Sequence, residues 1–524
     1  MRTRHIGIVA IAFLWGCSGH RTASNQGNTL RYALQIEPST IDPAKNEAAD
    51  TSDALQSVYE GLINIDKNNQ VIPCVAERWE VSKDGLTHTF HLNPKVKFHK
   101  PFDRQVTADD VKYSITRLLL PETKSPIWPN VLIDIAGAKE VVDGKTKEVS
   151  GIKVIDKQTV SVTLTHPCGY YPYELGGNYI VCREAIEKTG GNIDEKSSIG
   201  TGPYVLKEFK PNRRILLEAN PDYWGGAPKL EAIERPVVLD EQTAHIKYES
   251  GEADICQPSQ TDYEADMKKP GLQGQTLLQP TAGINYLVLH PKLQALFRDK
   301  RIRQAFAMAV DKDEIVRVAY RGLSKRADGF LTPGVLGYNK DIKKMPYDPA
   351  GARALLAQAG YPGGTGFPKL TLIYVQKQAA VSATVEIVRD NLKHNLGINV
   401  DLQEREAATF FADSDKEVMP FFFIGWSATE PHDYLSLLMR TGARYNAIGF
   451  SNAEFDRLCD AADREQNPDV RARLYSQADQ IVVDEVAVIP INIRYQPFLV
   501  KPYVKDLQFN LGGLMAHYTT RLQR

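Results

Sequence analysis

Six cysteines, Cys17, Cys74, Cys168, Cys182, Cys256 and Cys459, are the side chains best suited to covalent or metal chemistry. None of them forms a C-x-x-C pair, so a zinc or redox site has little support and no metal site is expected. His88 and His91 are three apart in a run that alternates like a strand, which points them to opposite faces and excludes a simple metal pair. Asp143-Gly144-Lys145-Thr146 mimics the end of a phosphate-binding loop, but Lys139 stands where the leading glycine belongs. A turn between Val142 and Val149 explains those residues better. Neither H-E-x-x-H nor G-x-S-x-G occurs, so hydrolysis and phosphoryl transfer lack their usual markers. The expectation is no catalytic residue, no cofactor and no enzyme; what remains is binding.

Composition frames that expectation. At 524 residues the chain exceeds what one core usually supports, so two or more domains are expected. Apolar residues at 43% and charged residues at 24% are ordinary for a soluble globular protein. A formal charge of −1 without a basic field argues against a nucleic-acid partner. Residues 1–16 carry Arg2, Arg4 and His5 and then an apolar run from Ile6 to Trp15, the layout of a secretory signal too short to span a bilayer. Leu14-Trp15-Gly16-Cys17 resembles a bacterial lipobox, with Trp15 bulkier than is usual there. That resemblance implies a lipid on Cys17 as the new N-terminus and a flexible tether over 17–29; a plain signal peptide cut nearby is the alternative. Outside the cell the other five cysteines are an odd set, so at least one thiol stays free. Cys168 and Cys182 flank a short Tyr/Pro/Gly-rich connection and form either a disulfide or two buried thiols.

The elements that would position a site follow from periodicity. Gly200, Gly202 and Pro203 make a turn; Tyr204 to Phe209 and Arg214 to Glu218 then alternate as a hairpin. Arg31 to Leu34 reads as a strand and Ala54 to Tyr59 as a helix stopping at Gly61. Two alternating strands joined at Asp84-Gly85 precede a helix with Thr107 as N-cap and Asp110 three residues on. Ile302, Phe306, Ala309 and Val310 share one helical face, and a further helix runs from Tyr347-Asp348-Pro349 to Gly360. Strand Leu370 to Val375, helix Ala380 to Asn395 and strand Asn399 to Gln403 give the β-α-β alternation of an α/β lobe.

The words T-I-D-P (40–43), Y-E-G-L (59–62), T-G-P-Y (201–204), N-x-x-Y-W-G-G-x-P (220–228) and S-G-E-x-D (250–254) stand in an order that resembles the family 5 extracellular solute-binding proteins of ABC importers, which include the oligopeptide- and dipeptide-binding lipoproteins. The resemblance covers about residues 30 to 520. It implies an α/β fold of the two-lobed periplasmic-binding-protein type (class II), with an additional small domain on the first lobe. Mapped onto this chain, the first lobe is 30–65, 195–280 and 485–524, the extra domain 66–194, and the second lobe 281–484. Ligand is held between lobes that close about a hinge, since a ligand touching both lobes stabilises the closed form by its differential affinity.

Within Phe421 to Tyr434, Gly425, Trp426 and Ala428 resemble the family's G-W-x-A-D segment, whose tryptophan lines the cleft and whose aspartate pairs with a peptide's amino terminus. Here Ser427 fills the variable position and Thr429 replaces the aspartate. A buried ammonium needs a carboxylate, because a charge-assisted hydrogen bond is worth roughly 1.5–3 kcal/mol and an unpaired buried charge costs more. Glu430, Asp433 or Glu47 are the carboxylates that could take over. Trp426, Gly425, Ser427, Thr429, Tyr286, Asn285, Glu47 and Ala49 are thus the expected ligand-binding residues, with Trp426 and Tyr286 as flat apolar surfaces. The implied function is a monomeric, lipid-anchored bacterial receptor, outside the cytoplasm, that delivers a peptide-like solute to an ABC permease and its ATPase. The alternatives are a non-peptide solute (oligosaccharide, opine or metal chelate) and a signalling receptor without transport.

Overall fold

A computed structural model describes residues 27–46, 49–376, 378–443 and 445–524. Two long strands, Thr276–Leu289 and Ile489–Val500, run antiparallel through the middle of the molecule. Their far halves pair Ile284–Leu287 with Ile489–Ile493, and their near halves pair Thr276–Pro280 with Tyr495–Leu499. Between Pro280 and Ile284 the register slips. A bulge in paired strands bends them and weakens the ladder, which suits a crossing between lobes.

The far halves belong to the second lobe. Its sheet takes in strands Phe421–Ser427, Leu370–Val375 and Val400–Arg405, the last two parallel. Helices bury both faces: Phe421 and Phe423 pack with Phe306, Val388 and Leu392, while Phe422 packs with Phe330, Tyr434 and Tyr475. This near-continuous apolar strand is what a sheet covered on both sides requires. Its helices include Lys300–Ala309, Pro349–Gln358 and Ala379–Leu396. Asp348 caps Pro349–Gln358 by accepting from the amides of Ala350 and Gly351, with Pro349 at the first helical position.

In the first lobe, strand Thr29–Arg31 lies parallel to Ala232–Pro236, which continues into the hairpin Arg214–Ala219 and Tyr204–Lys210. Leu30, Tyr59, Tyr204, Leu217, Ile233 and Phe498 fill its core. The remaining sheet orders strands Ala76–Val81, Thr87–Leu92, Thr159–Thr163 and Ile152–Asp156 around Phe90, Val111, Ile115 and Val160. Helix Ala108–Leu119 covers it, and its start is secured by the Thr107 amide donating to Asp110 Oδ2 at 2.9 Å. Arg117 on that helix makes a two-bond pair with Asp42 of the T-I-D-P segment, at 3.0 and 2.5 Å, both side chains buried. This charge pair ties the extra sheet to the first lobe.

The helix expected over Ala54 to Tyr59 lies earlier, at Ala49–Leu55. The carbonyls of Ser57 and Val58 accept instead from the amides of Tyr204 and Gly202, at 2.9 Å each. Gly200 and Gly202 permit that approach, since an added Cβ would stand 2.0 Å from the Val58 oxygen at the first and 2.6 Å from the Ser57 oxygen at the second. His88 and His91 fall on one strand as expected; His88 is buried, and burial pulls its pKa down to about 4.

Candidate functional site

The Y-E-G-L, T-G-P-Y and Y-W-G-G words converge on one carboxylate. Glu60 is buried and accepts from Thr201 Oγ1 at 2.8 Å, Tyr223 Oη at 2.6 Å and Trp224 Nε1 at 2.9 Å, with the Cys74 thiol at 3.6 Å. Burial pushes its pKa up, and these donors counter that. Three donors around one buried acid are a rigid support, and they explain why these motif residues stand where they do.

Glu60 also lines a cavity of about 500 Å³ that opens where the first lobe and the extra domain face the second lobe. Gln56, Tyr59, Asn69, Trp128, Tyr173, Glu174, Tyr223 and Met515 form one wall, and Thr429 and Asp433 form the other. One edge of it is closed by direct contacts. Asn69 Nδ2 donates to the Thr429 carbonyl at 2.8 Å, and Tyr173 Oη holds Asn69 in place. Tyr170 stacks on His432 with ring centroids 4.0 Å apart, and the Gly169 amide donates to the Asp463 carbonyl at 2.7 Å.

The electrostatics of this edge are strongly acidic. His432 Nδ1 donates to Asp463 Oδ1 at 3.0 Å; burial pulls the imidazole down, but Asp463 outweighs it and holds it up at about 9, so it is charged at neutral pH. Asp463 also accepts from Ser436 Oγ at 3.0 Å and Tyr475 Oη at 2.5 Å. Glu174 and Asp433 make no side-chain hydrogen bond or ion pair among the described residues. Burial, and next the Asp433 charge, push Glu174 up to about 8; burial raises Asp433 as well, with the His432 charge pulling the other way. Two half-buried acids facing one cavity without a cation of their own suit a ligand ammonium or guanidinium.

The residues singled out from sequence separate into three groups. Thr429 and Asp433 line the cavity. Gly425 and Ser427 are exposed on strand Phe421–Ser427, and Trp426 between them is half-buried against the second-lobe core, its indole nitrogen buried without a partner among the described residues. Tyr286 and Asn285 are core residues rather than open surfaces: Tyr286 packs edge-on to Phe330 with centroids 4.9 Å apart, and Asn285 Nδ2 donates to Tyr320 Oη and Asn492 Oδ1. Glu430 is corrected too. It is buried in an ion pair with Arg471, so its charge is already answered. Glu47 and Cys17 lie outside the described residues, and of Ala49 only its place at the start of helix Ala49–Leu55 is described. Cys168 and Cys182 are both buried free thiols, which corrects the disulfide alternative; the Cys182 thiol donates to Glu184 at 3.5 Å.

Sequence reading missed Glu174 and Asn69, for which no local pattern gives a signal, and Arg494. Arg494 lies at the crossing, its guanidinium over Gly283 and donating to the Trp426 carbonyl at 3.1 Å, with no carboxylate partner among the described residues. The surrounding protein lowers its pKa by desolvation although the residue is exposed.

A family model described as bacterial extracellular solute-binding proteins, family 5 middle, matches residues 70–446. Heme-binding protein A of Haemophilus influenzae is 30% identical over 94% of this chain and 92% of its own. Di/tripeptide-binding protein 1 of Pseudomonas aeruginosa is 28% identical over 94% of each chain. Among solved structures, the periplasmic murein tripeptide binding protein MppA in its unliganded open form superimposes with a TM-score of 0.86 at 26% identity, over 95% of this chain and 98% of that one. The chain belongs to the bacterial extracellular solute-binding proteins of family 5.

Proposed function

We propose that this chain is a receptor for small peptide-like solutes, that it takes a ligand's cationic amine between Glu174 and Asp433, and that it hands the closed complex to an ABC importer. The observation that carries this reading is the cavity of about 500 Å³ with one unpaired carboxylate on each side of the domain boundary. A cation bridging them would gain contacts to both sides only when the sides are together, which is the condition for ligand-driven closure. Arg494 at the crossing, donating to the Trp426 carbonyl and with no carboxylate partner among the described residues, is the cation this reading assigns to a ligand carboxylate. The likeness to an unliganded open form supports a resting state that awaits ligand. In this reading the lobes are 30–65, 195–280 and 485–524 against 281–484, with 66–194 as the extra domain, and Cys17 carries a lipid that keeps a monomer at the outer face of a membrane. Receptor rather than enzyme is the role.

Thr429 in place of an aspartate favours a second reading, a non-peptide solute. Native mass spectrometry of the mature chain, before and after mild unfolding, separates the two. A ladder of small peptides is the expected result. A single non-peptide species replaces the peptide with another solute, and an empty protein whose melting temperature no dipeptide or tripeptide raises overturns the receptor reading.

A further inference from the structure

We propose that Asp134, His166 and Cys168 form a zinc-class divalent metal site on the extra domain, beside its contact with the second lobe and apart from the cavity described above. Their ligand atoms all lie within 4.8 Å of one another. Cys168 Sγ is 3.8 Å from His166 Nε2, and His166 Nε2 is 3.6 Å from Asp134 Oδ2. Tetrahedral zinc with Zn–S of about 2.3 Å and Zn–N or Zn–O of about 2.0 Å places such atoms about 3.5 and 3.3 Å apart, so these two separations stand within a few tenths of an ångström of the tetrahedral values. As direct hydrogen bonds these separations are long, and the nitrogen–oxygen distance exceeds any useful one.

The hydrogen bonding behind the site selects the right tautomer. Thr165 Oγ1 spends its one proton on the Asp134 carbonyl at 3.2 Å, so toward His166 Nδ1 at 3.1 Å it accepts the ring proton. Nε2 is then the bare nitrogen, and it is the one turned toward Cys168 and Asp134. Metal-bound histidines are held by this kind of second contact. The site also has a wet side for a fourth, solvent ligand, because the His166 side chain is 48% exposed while Cys168 is buried. Binding breaks the S–H bond, forms the metal–sulfur bond and sends the proton to solvent, leaving a thiolate, a carboxylate and a divalent cation in charge balance.

The second such group among the described residues, His245, Glu249 and Asp266, is already paired within the protein: His245 bonds Asp266 at 2.8 Å, and Lys269 stands 3.6 Å from the same carboxylate.

The test is metal binding by the mature chain, with zinc counted by mass spectrometry and cobalt(II) as the spectroscopic probe. We expect one equivalent of zinc, a cobalt–thiolate charge-transfer band, loss of that band in Cys168→Ser, and a tenfold or greater loss of affinity in His166→Gln. His166→Gln changes an exposed side chain, so it keeps the test valid should the cysteine variant fold poorly. Failure to retain one equivalent, a cobalt spectrum without the thiolate band, or wild-type affinity in the His166 variant overturns the proposal. Peptide binding is not a readout here, so this result stands apart from the receptor reading.

Discussion

Glu174 and Asp433 face one cavity from different parts of the fold, Glu174 at the end of the short helix Tyr171–Glu174 and Asp433 within Pro431–Tyr434, and among the described residues no cation is bonded to either. Two acids brought together by folding raise one another's pKa, and the charged His432 beside them offsets this only in part. Removing either should therefore weaken capture of a cationic ligand without unfolding the protein. For Glu174→Gln and Asp433→Asn we expect a loss of roughly 10- to 100-fold in affinity for a dipeptide, the worth of one charge-assisted hydrogen bond of about 1.5–3 kcal/mol. Titration calorimetry on each variant checks this, and unchanged affinity in both rules out the pair as the amine anchor.

Proton linkage gives a second prediction. Glu174 stands at about 8 in the free protein, raised by burial and by Asp433, so below that pH it is mostly protonated. An ammonium needs the ionised form, and binding must expel the proton. Affinity should rise between pH 6 and pH 8, by at most tenfold per unit for one proton released. Stability of the empty protein runs the other way. A carboxylate with a raised folded-state pKa holds a proton that the unfolded chain has lost, so stability falls as pH rises from 4.5 towards 8. Dipeptide affinity that stays flat across this range contradicts the assignment.

How far the sequence speaks can be judged from particular segments. The hairpin expected over Tyr204 to Glu218 and the helices expected after Asp299 and Tyr347 stand where alternation and capping residues put them, because those signals are local. The helix expected from Ala54 stands earlier because the Ser57 and Val58 carbonyls are claimed by the T-G-P-Y turn, far away in sequence. The resemblance puts Tyr286 and Asn285 at the cleft, on the strand entering the second lobe, but it carries no signal that helices cover both faces of this sheet. Asp433 was within reach as a carboxylate near the motif. Glu174 was not, since nothing in Tyr171-Pro172-Tyr173-Glu174 signals that another domain will bring Asp433 beside it.

Glu430 supplies a control for the anchor. Its pairing with Arg471 is buried, and removing one partner of a buried pair leaves the other charge stranded at a cost of about 3–5 kcal/mol. Glu430→Ala should lower the melting temperature by several degrees and leave dipeptide affinity within about twofold of wild type, since the carboxylate faces Arg471 and not the cavity. Lost binding in a variant that remains folded would return Glu430 to the site.

The contact between the extra domain and the second lobe rests on a glycine. Gly169 donates its amide to the Asp463 carbonyl at 2.7 Å, and a Cβ added at Gly169 would stand 1.9 Å from the Glu465 carbonyl oxygen. Both neighbours are backbone, so neither can swing away as a flexible side chain would. Gly169 does not have a positive φ, and its substitution therefore acts by crowding and not by backbone strain. Gly169→Ala should force the two surfaces apart at this edge, costing about 1–3 kcal/mol in the way an overpacked contact does. Tyr170 would move with it and lose its stack on His432, and Asn69 would lose the Thr429 carbonyl. Amide exchange checks this directly: protection at residues 169–174 and 463–466 should fall in the variant while the strands Thr276–Leu289 and Ile489–Val500 keep theirs. Because Glu174 and Asp433 are aligned by this same edge, the variant should also bind dipeptide more weakly although neither carboxylate has changed. Wild-type protection and affinity together would show that the edge does not position the pair.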